Sequence, residues 1–401
     1  MISALPRVQA PPFAARMQLR VRGEERRVPL AVPLIAVIAA GVATYISWRT
    51  GSMALYGDAR AHLNVARRVT DGLTPGLAQL GTVWLPLPQM LMAPLVAFDW
   101  LWHSAVGGAI VSGLAFIYSA VRLFSLAEEW FESKLAAYCA LAFYVGNLNL
   151  LYLQSTALTE PLLLAFFVGA AYHVARWTQS RSHAHLAMAG FMTFCATLTR
   201  FDGWVLYFAI ALVVVVWSLR YERRKHATQA NALLFLTIGG YGIAMFFLYN
   251  LIIFGDPLAW IHSTFSAQSQ QLALANVGDL ATKGNARLSV LTYGWDVLDV
   301  AGVLTVFAGA VGIVSLLLHR GKTLHRNLAL LVVLGSPIAF NLVALFTGQS
   351  TIRVPEVAPF GMWNIRYGAM ALPLLALGAA SLVQRRRWMA PVLLNVAAVS
   401  L

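Results

Sequence analysis

Apolar residues in this chain come in long runs, without the alternation of a half-buried strand or a solvent-facing helix, and short polar clusters separate the runs. Eleven runs stand out, at 28–48, 104–124, 135–153, 158–177, 185–199, 203–219, 231–254, 297–318, 327–347, 366–383 and 389–401. A helix needs about 20 mostly apolar residues to cross the hydrocarbon of a bilayer. The pattern predicts an all-α, polytopic membrane protein with about 11 transmembrane helices. Residues 83–98 are also apolar, but Pro86, Pro88 and Pro94 make this a broken or surface-lying segment. The run at 28–48 follows a basic stretch, as a signal peptide would. It is too long for one and lacks a small-x-small cleavage site before Trp48-Arg49, so it reads as a retained first span. The run at 389–401 is short for a span and reads as an incomplete helix or the end of a fragment.

Three segments between the runs are long enough to carry function, at 49–103, 255–296 and 348–365. In the first, residues 59–70 have helical spacing, with Ala59, Leu63, Ala66 and Val69 on one face and Arg60, Asn64, Arg67 and Asp71 on another. This predicts amphipathic juxtamembrane helices beside the spans. The organisation expected is a tail at 1–27 and one transmembrane module over 28–401. No soluble C-terminal domain, internal repeat or low-complexity tract is expected.

Composition supports the membrane reading: the chain is 59% hydrophobic and 11% charged, against about 25% charge in an average soluble domain. The net charge of +13 would suit a nucleic-acid partner if it were gathered into one patch. Instead the basic residues form short clusters between apolar runs, which excludes that class. With the N-terminus in the cytoplasm, 20 of the 29 Lys and Arg residues fall inside, against 6 of the 16 acidic ones. The longer loops then lie outside, so loop length does not explain the bias. The positive-inside rule therefore predicts a multi-pass inner (plasma) membrane protein with a cytoplasmic N-terminus. Cys139 and Cys195 both lie within apolar runs, where neither a disulfide nor a thiolate metal site is suggested.

In this orientation the unusual polar groups share the outer side. Asp58 and His62 stand in the first loop, and Thr159-Glu160-Pro161 opens the fourth run. Thr199-Arg200-Phe201-Asp202-Gly203-Trp204 links the fifth and sixth, Gly255-Asp256-Pro257 follows the seventh, and Trp363-Asn364-Ile365-Arg366-Tyr367 opens the tenth. Charges gathered at one membrane face suggest a cavity for an anionic substrate. Each piece also has a structural reading. Asp58 suits an N-cap, and His62 one turn later shares its face, either at the surface or orienting the carboxylate. Glu160 before Pro161 is a helix start, and Gly-Asp-Pro at 255–257 is a turn. Arg200 and Arg366 either snorkel to headgroups or bind phosphate. No phosphate-cradling glycine loop, zinc spacing or Gly-x-Ser-x-Gly motif occurs.

In chain order these segments, with Gly81-Thr82-Val83-Trp84-Leu85-Pro86-Leu87-Pro88 added after Asp58, resemble the GT-C superfamily of polyprenyl-phosphate-sugar glycosyltransferases. The similarity is to the bacterial protein O-mannosyltransferase-like and lipid A aminoarabinose transferase-like branch, over roughly 30–370. The resemblance implies a GT-C-like fold and transfer of a sugar from a polyprenyl-phosphate donor to a hydroxyl on a protein, lipid or glycan acceptor. Asp58 matches the catalytic acid of the first external loop, implying a base in a single inverting displacement with His62 beside it. Arg366 and Arg200 would hold the lipid phosphate. Glu160 and Asp202 would bind sugar or acceptor, with Asp256, Asn364 and Tyr367 completing the binding set. Many relatives pair two acids where Asp58 stands, whereas here Ala59 follows, so a divalent metal stays open without the support of a paired acid, and no cofactor is assigned. Two alternatives fit the same outer arginines: a transporter or flippase for lipid-linked sugars, and a lipid-linked oligosaccharide polymerase or ligase.

Overall fold

A computed structural model describes residues 27–222, 225–264 and 280–399, together with Ser266, Ser269, Gln271, Ala273 and Ala275. The expected tail at 1–27 thus lies outside the described residues except for Arg27, as does part of the segment 255–296. The described residues are helical, with a single isolated bridge between Arg353 and Trp363.

The helices are α1 (Ala31–Arg49), α2 (Gly57–Thr70), α3 (Leu87–Val96), α4 (Asp99–His103), α5 (Val106–Phe131), α6 (Lys134–Val145), α7 (Leu148–Gln154), α8 (Glu160–Ser180) and α9 (His183–Thr197). They continue with α10 (Asp202–Tyr221), α11 (Lys225–Phe254), α12 (Ala259–His262), α13 (Ala286–Ala301), α14 (Val303–Leu317), α15 (Gly321–Thr347), α16 (Leu372–Arg385) and α17 (Met389–Val399). A 3-10 turn at Ile365–Ala371 leads into α16.

Among the described residues six helices are long and apolar enough to cross a membrane, or eight if each of two bent pairs counts as one span. The molecule is thus a helical, multi-pass membrane protein, and the expected count of about eleven spans is not confirmed among the described residues. The run at 297–318 is not one straight helix: α13 and α14 meet at Gly302 with a bend of 111°. The run at 135–153 divides into α6 and α7, bent by 66°, where Asn147 accepts from the Leu150 amide and starts a new helix. α9 has 15 residues, and α17 has 11 within a run whose last two residues lie outside the description. α8 has the length of a span but carries Glu160, His173 and Arg176 and is buried along nearly all of it. A helix shielded by its neighbours need not be apolar enough to face lipid.

The contrast between centre and periphery is wide. In α11 only 22% of the apolar window is buried, whereas the segment Ile365–Gln384 is 83% buried. The core gathers around α8, where Leu163, Leu164, Phe167, Val168 and Trp177 are buried against α5, α9 and their neighbours. As the prolines imply, residues 83–98 do not span: they form the ten-residue α3, which packs on α2.

Candidate functional site

Four separate stretches of chain deliver the site, the first being the start of α2, which carries Asp58. α8 starts at Glu160, with Pro161 in its first turn where a missing N–H costs nothing. Gly203 permits the turn from α9 to α10, since a Cβ there would lie 2.2 Å from the Ala196 carbonyl oxygen. The turn is tied by Thr199 Oγ1 donating to Cys195 O at 2.7 Å and Trp204 Nε1 donating to Thr197 O at 3.0 Å. Arg200 and Asp202 project from it. Arg366 comes from the 3-10 turn, held close to α13 because Gly368 has no Cβ to strike the Asp296 carbonyl, which would be 2.4 Å away.

These groups form one chain of alternating charge. Glu160 Oε1 accepts from Arg366 Nε at 2.9 Å and from Arg200 Nη1 at 3.0 Å. Arg200 Nε donates to Asp202 Oδ2 at 3.1 Å, and Arg366 Nη2 donates to Asp58 Oδ2. The order is Asp58, Arg366, Glu160, Arg200, Asp202. Tyr367 lies beneath both guanidiniums, each 5.1 Å from the ring centroid, and Tyr56 lies 5.0 Å from Arg366 on another side. Burial is steep along the chain: the Glu160 side chain is 0% exposed and that of Asp202 2%, but that of Asp58 is 44% exposed. Asp58 is the most exposed of the three carboxylates.

Asp58 is therefore not the N-cap that its position suggests. Tyr56 occupies the cap of α2 without a side-chain bond, and Asp58 sits within the first turn, free to pair with Arg366. His62 lies one turn on but does not lean on Asp58. Its Nδ1 is 2.7 Å from Gln89 Nε2, and its ring packs on Trp84 with centroids 4.3 Å apart. Burial depresses its pKa to about 4, so the ring is neutral, with Nδ1 accepting from the Gln89 amide.

Two cavities meet at Asp58. One, of about 440 Å³, is walled by Asp58, His62, Trp84, Glu160, Arg200, Asp202, Trp260, Arg366 and Tyr367 and extends to Phe340 and Asn341 of α15. The other, of about 540 Å³, is lined by Leu55, Tyr56, Gly57, Tyr152, Met362, Trp363, Asn364 and Ile365, and again by Asp58 and Arg366. The Asp58–Arg366 pair is a shared wall. The first cavity also has three buried polar atoms without hydrogen-bond partners among its lining residues, Glu160 Oε2, Asp202 Oδ1 and Trp260 Nε1. Buried polar atoms are rarely left unmatched, so these mark where a polar ligand would find partners.

Six of the nine candidate residues thus gather in direct contact, namely Asp58, Glu160, Arg200, Asp202, Arg366 and Tyr367, and His62 joins the wall. Asp256 does not. Its Oδ1 accepts from the Leu258 amide at 2.8 Å and its Oδ2 meets His262 Nδ1 at 2.5 Å, a self-contained turn beside a separate cavity of about 1310 Å³. Asn364 reaches only the second cavity, and its Nδ2 donates to Thr351 O at 3.0 Å, so it braces the loop. Tyr56, Trp84, Gln89 and Trp260 line or support the site without belonging to the set that the sequence marks. Gln89 had a readable signal, as a lone amide in the proline-rich apolar stretch. Trp260 had none, since tryptophans recur at many span ends.

Among the described residues no group of three or more His, Cys, Asp or Glu has metal-holding geometry. Guanidiniums separate Asp58, Glu160 and Asp202 from one another, which does not fit a divalent ion. No protein-family model matches the chain, and no curated protein matches it significantly.

Proposed function

We propose that this protein is an integral-membrane glycosyltransferase related to the GT-C superfamily. It moves a mannose-like hexose or a pentose from a polyprenyl-phosphate donor to an acceptor hydroxyl at the extracytoplasmic face of the inner membrane. The observation that carries the reading is the position of Asp58. It is the accessible end of a buried chain of alternating charges and stands in the wall between two cavities.

In the step we infer, an acceptor oxygen forms a bond to the anomeric carbon while the bond from that carbon to the phosphate oxygen breaks. The bonding pair leaves on the phosphate, and the hydroxyl proton passes to Asp58. Attack opposite the leaving group inverts the anomeric centre. The charges suit this exchange. Three carboxylates face two guanidiniums, so the resting site has one negative charge in excess, and Arg366 is held by Asp58 and Glu160. As Asp58 takes the proton it loses charge, while the phosphate beside Arg366 gains it. The guanidinium keeps an anionic partner throughout, which is the preorganised electrostatics such a step needs. Glu160 Oε2, Asp202 Oδ1 and Trp260 Nε1 are placed to bind sugar hydroxyls, which both donate and accept. The first cavity falls within the range of about 300–1,000 Å³ usual for small-ligand sites.

The test is transfer by purified protein in lipid vesicles from polyprenyl-phosphate mannose, and from a pentose analogue, carrying a radiolabel in the sugar. Wild type is expected to turn over, and Asp58→Asn, which keeps the shape and loses the base, is expected to lose about 10²–10⁴-fold in rate. Near-normal transfer by Asp58→Asn would remove Asp58 from the role of base. Movement of the donor across the bilayer without turnover would make the protein a transporter instead.

A further inference from the structure

The second cavity differs in kind from the first, and the difference says what it takes. Apart from the shared Asp58 and Arg366 it is lined by no charged side chain: Tyr56 and Tyr152 supply aromatic faces, and Leu55, Met362, Trp363 and Ile365 supply apolar ones. Its lip faces outward. Leu55 is 67% exposed, Met362 73% and Trp363 62%, and Phe360 beside them is 69% exposed. A soluble surface rarely gathers four such side chains, and the patch belongs against something apolar.

Its place in the fold says what that is. Leu55 lies six residues past the end of α1, one of the helices long enough to span, and Ile365 opens the segment Ile365–Gln384, another such helix. The lip therefore stands at the boundary of the apolar slab. The loop that carries Phe360, Met362 and Trp363 is pinned by Arg353 and Trp363, whose backbone amides each donate to the other's carbonyl at 3.0 Å. An aromatic and apolar rim at a span end is what rests in the interfacial layer of a bilayer.

We propose that the second cavity is the acceptor site and that its acceptor is lipid-borne: a neutral, hydroxyl-bearing headgroup on a lipid of the adjoining leaflet, entering past Leu55, Met362 and Trp363. This rests on the glycosyltransferase reading above and adds to it the class and route of the acceptor. The headgroup lies on Tyr56 and Tyr152 and offers its hydroxyl to the face of Asp58 turned toward this cavity. The sugar and phosphate of the donor occupy the first cavity on the other side. The proton goes from the acceptor oxygen to Asp58, the new bond forms from that oxygen to the anomeric carbon, and the phosphate leaves with the old bonding pair. An anionic acceptor group would be repelled by Asp58, and a cationic one would pair with Asp58 and occupy the base, so a neutral hydroxyl-bearing group suits this cavity.

Gly57 supplies the means of testing this. It lines the second cavity, and a Cβ added to it meets nothing within 4 Å. Gly57→Leu adds bulk at the wall of this cavity from a Cβ that meets no neighbour, and Gly57→Ala is the smaller step in the same series. The assay presents purified protein in vesicles with sugar-labelled polyprenyl-phosphate mannose. The acceptor is offered either as total lipid extract from membranes lacking the enzyme or as a serine-containing peptide or free oligosaccharide in solution. Label is expected to pass to the lipid fraction. Gly57→Leu is expected to cut transfer about tenfold or more while leaving the affinity for polyprenyl phosphate unchanged, with Gly57→Ala giving a smaller loss in the same direction. A spin label on Phe360→Cys, with buried Cys139 and Cys195 as the remaining thiols, is expected to be relaxed by oxygen in the bilayer more than by a nickel complex in water. Transfer to the soluble acceptors instead, a Gly57→Leu defect in donor affinity, or a water-exposed label would each overturn the proposal. Absence of transfer to any acceptor, with the label at bilayer depth, would overturn the transferase reading itself.

Discussion

At one end of α8 Glu160 gives a single oxygen to both Arg366 and Arg200 and leaves Oε2 without a partner. At the other end Glu129 uses both oxygens, Oε1 accepting from Tyr172 at 3.2 Å and Oε2 from Arg176 at 3.2 Å. The two clusters are about 20 Å apart along a helix that rises 1.5 Å per residue. Near Glu129, His173 Nδ1 lies 3.1 Å from His185 Nδ1, and Arg122 stands 5.0 Å from the Tyr172 ring. Both ends bury ionisable side chains among spanning helices, which is costly without pairing. The Glu129 end is packed and matched, and none of the cavities described above reaches it. The Glu160 end is matched on one side and open on the other. Burial of charge in a membrane bundle thus does not by itself mark a site. Unmatched polar atoms beside a cavity do.

The largest expected effect that would break this comparison comes from removing one arginine at each end. Arg366→Ala leaves Glu160 and Asp58 short of a cation and is expected to cost about 3–5 kcal/mol of stability, seen as a lowered unfolding midpoint in detergent. It should also abolish binding of polyprenyl phosphate. Arg176→Ala is expected to lower stability by a similar amount, yet the folded fraction should transfer sugar at the wild-type rate per molecule. If Arg176→Ala damages turnover of the folded fraction as deeply as Arg366→Ala does, the two ends are not different in kind.

A smaller effect concerns His62, on the wall of the open end. Its folded pKa is about 4, below the ordinary value of 6.5. Between those values the unfolded chain binds a proton that the folded one does not, so stability falls as pH drops from 6.5 toward 4, by roughly 3 kcal/mol at most. Above pH 6.5 the group has no such effect. Denaturation midpoints taken across that window should slope for wild type and flatten for His62→Gln, whose amide can still meet Gln89. An unchanged slope in His62→Gln would assign the pH dependence to other groups.

The smallest effect is expected at Asp256, which the sequence grouped with the site and the fold does not. Asp256→Ala loses a turn bond and an exposed contact with His262. It should leave the unfolding midpoint nearly unchanged, because the bonds lost are solvent-exposed, and leave transfer kinetics unaltered. A loss of turnover there would bring the large outer cavity of about 1310 Å³ into the chemistry.

Much of the open end was legible along the chain. Thr159-Glu160-Pro161, Arg200-x-Asp202-Gly203 and Arg366-Tyr367 stand out because charged residues at the ends of apolar runs have few plain reasons to be there. Their gathering into one constellation followed from assigning all of them to one side. What misled was local chemistry that fits a role without fixing a partner. Asp58 reads as a cap because it begins a helix, but the helix starts one residue earlier and Arg366, 308 residues away in sequence, takes its carboxylate. His62 reads as its companion because the two share a helix face, yet Gln89 of α3 takes the ring.

The sequence by itself determined the class of molecule, because runs of apolar side chains this long can be solvated only by lipid or by one another. It also determined which charged residues are anomalous, since their cost is local. Only the tertiary structure decided which helices face outward and which are core, and that two apolar runs are bent pairs. Only the fold set three carboxylates and two guanidiniums in alternation and left Asp58 as the most exposed of them, between two cavities. Those outcomes depend on close approaches at Gly203 and Gly368 and on pairings across hundreds of residues. Such contacts are set by packing, and no local pattern of hydrophobic and polar positions encodes them.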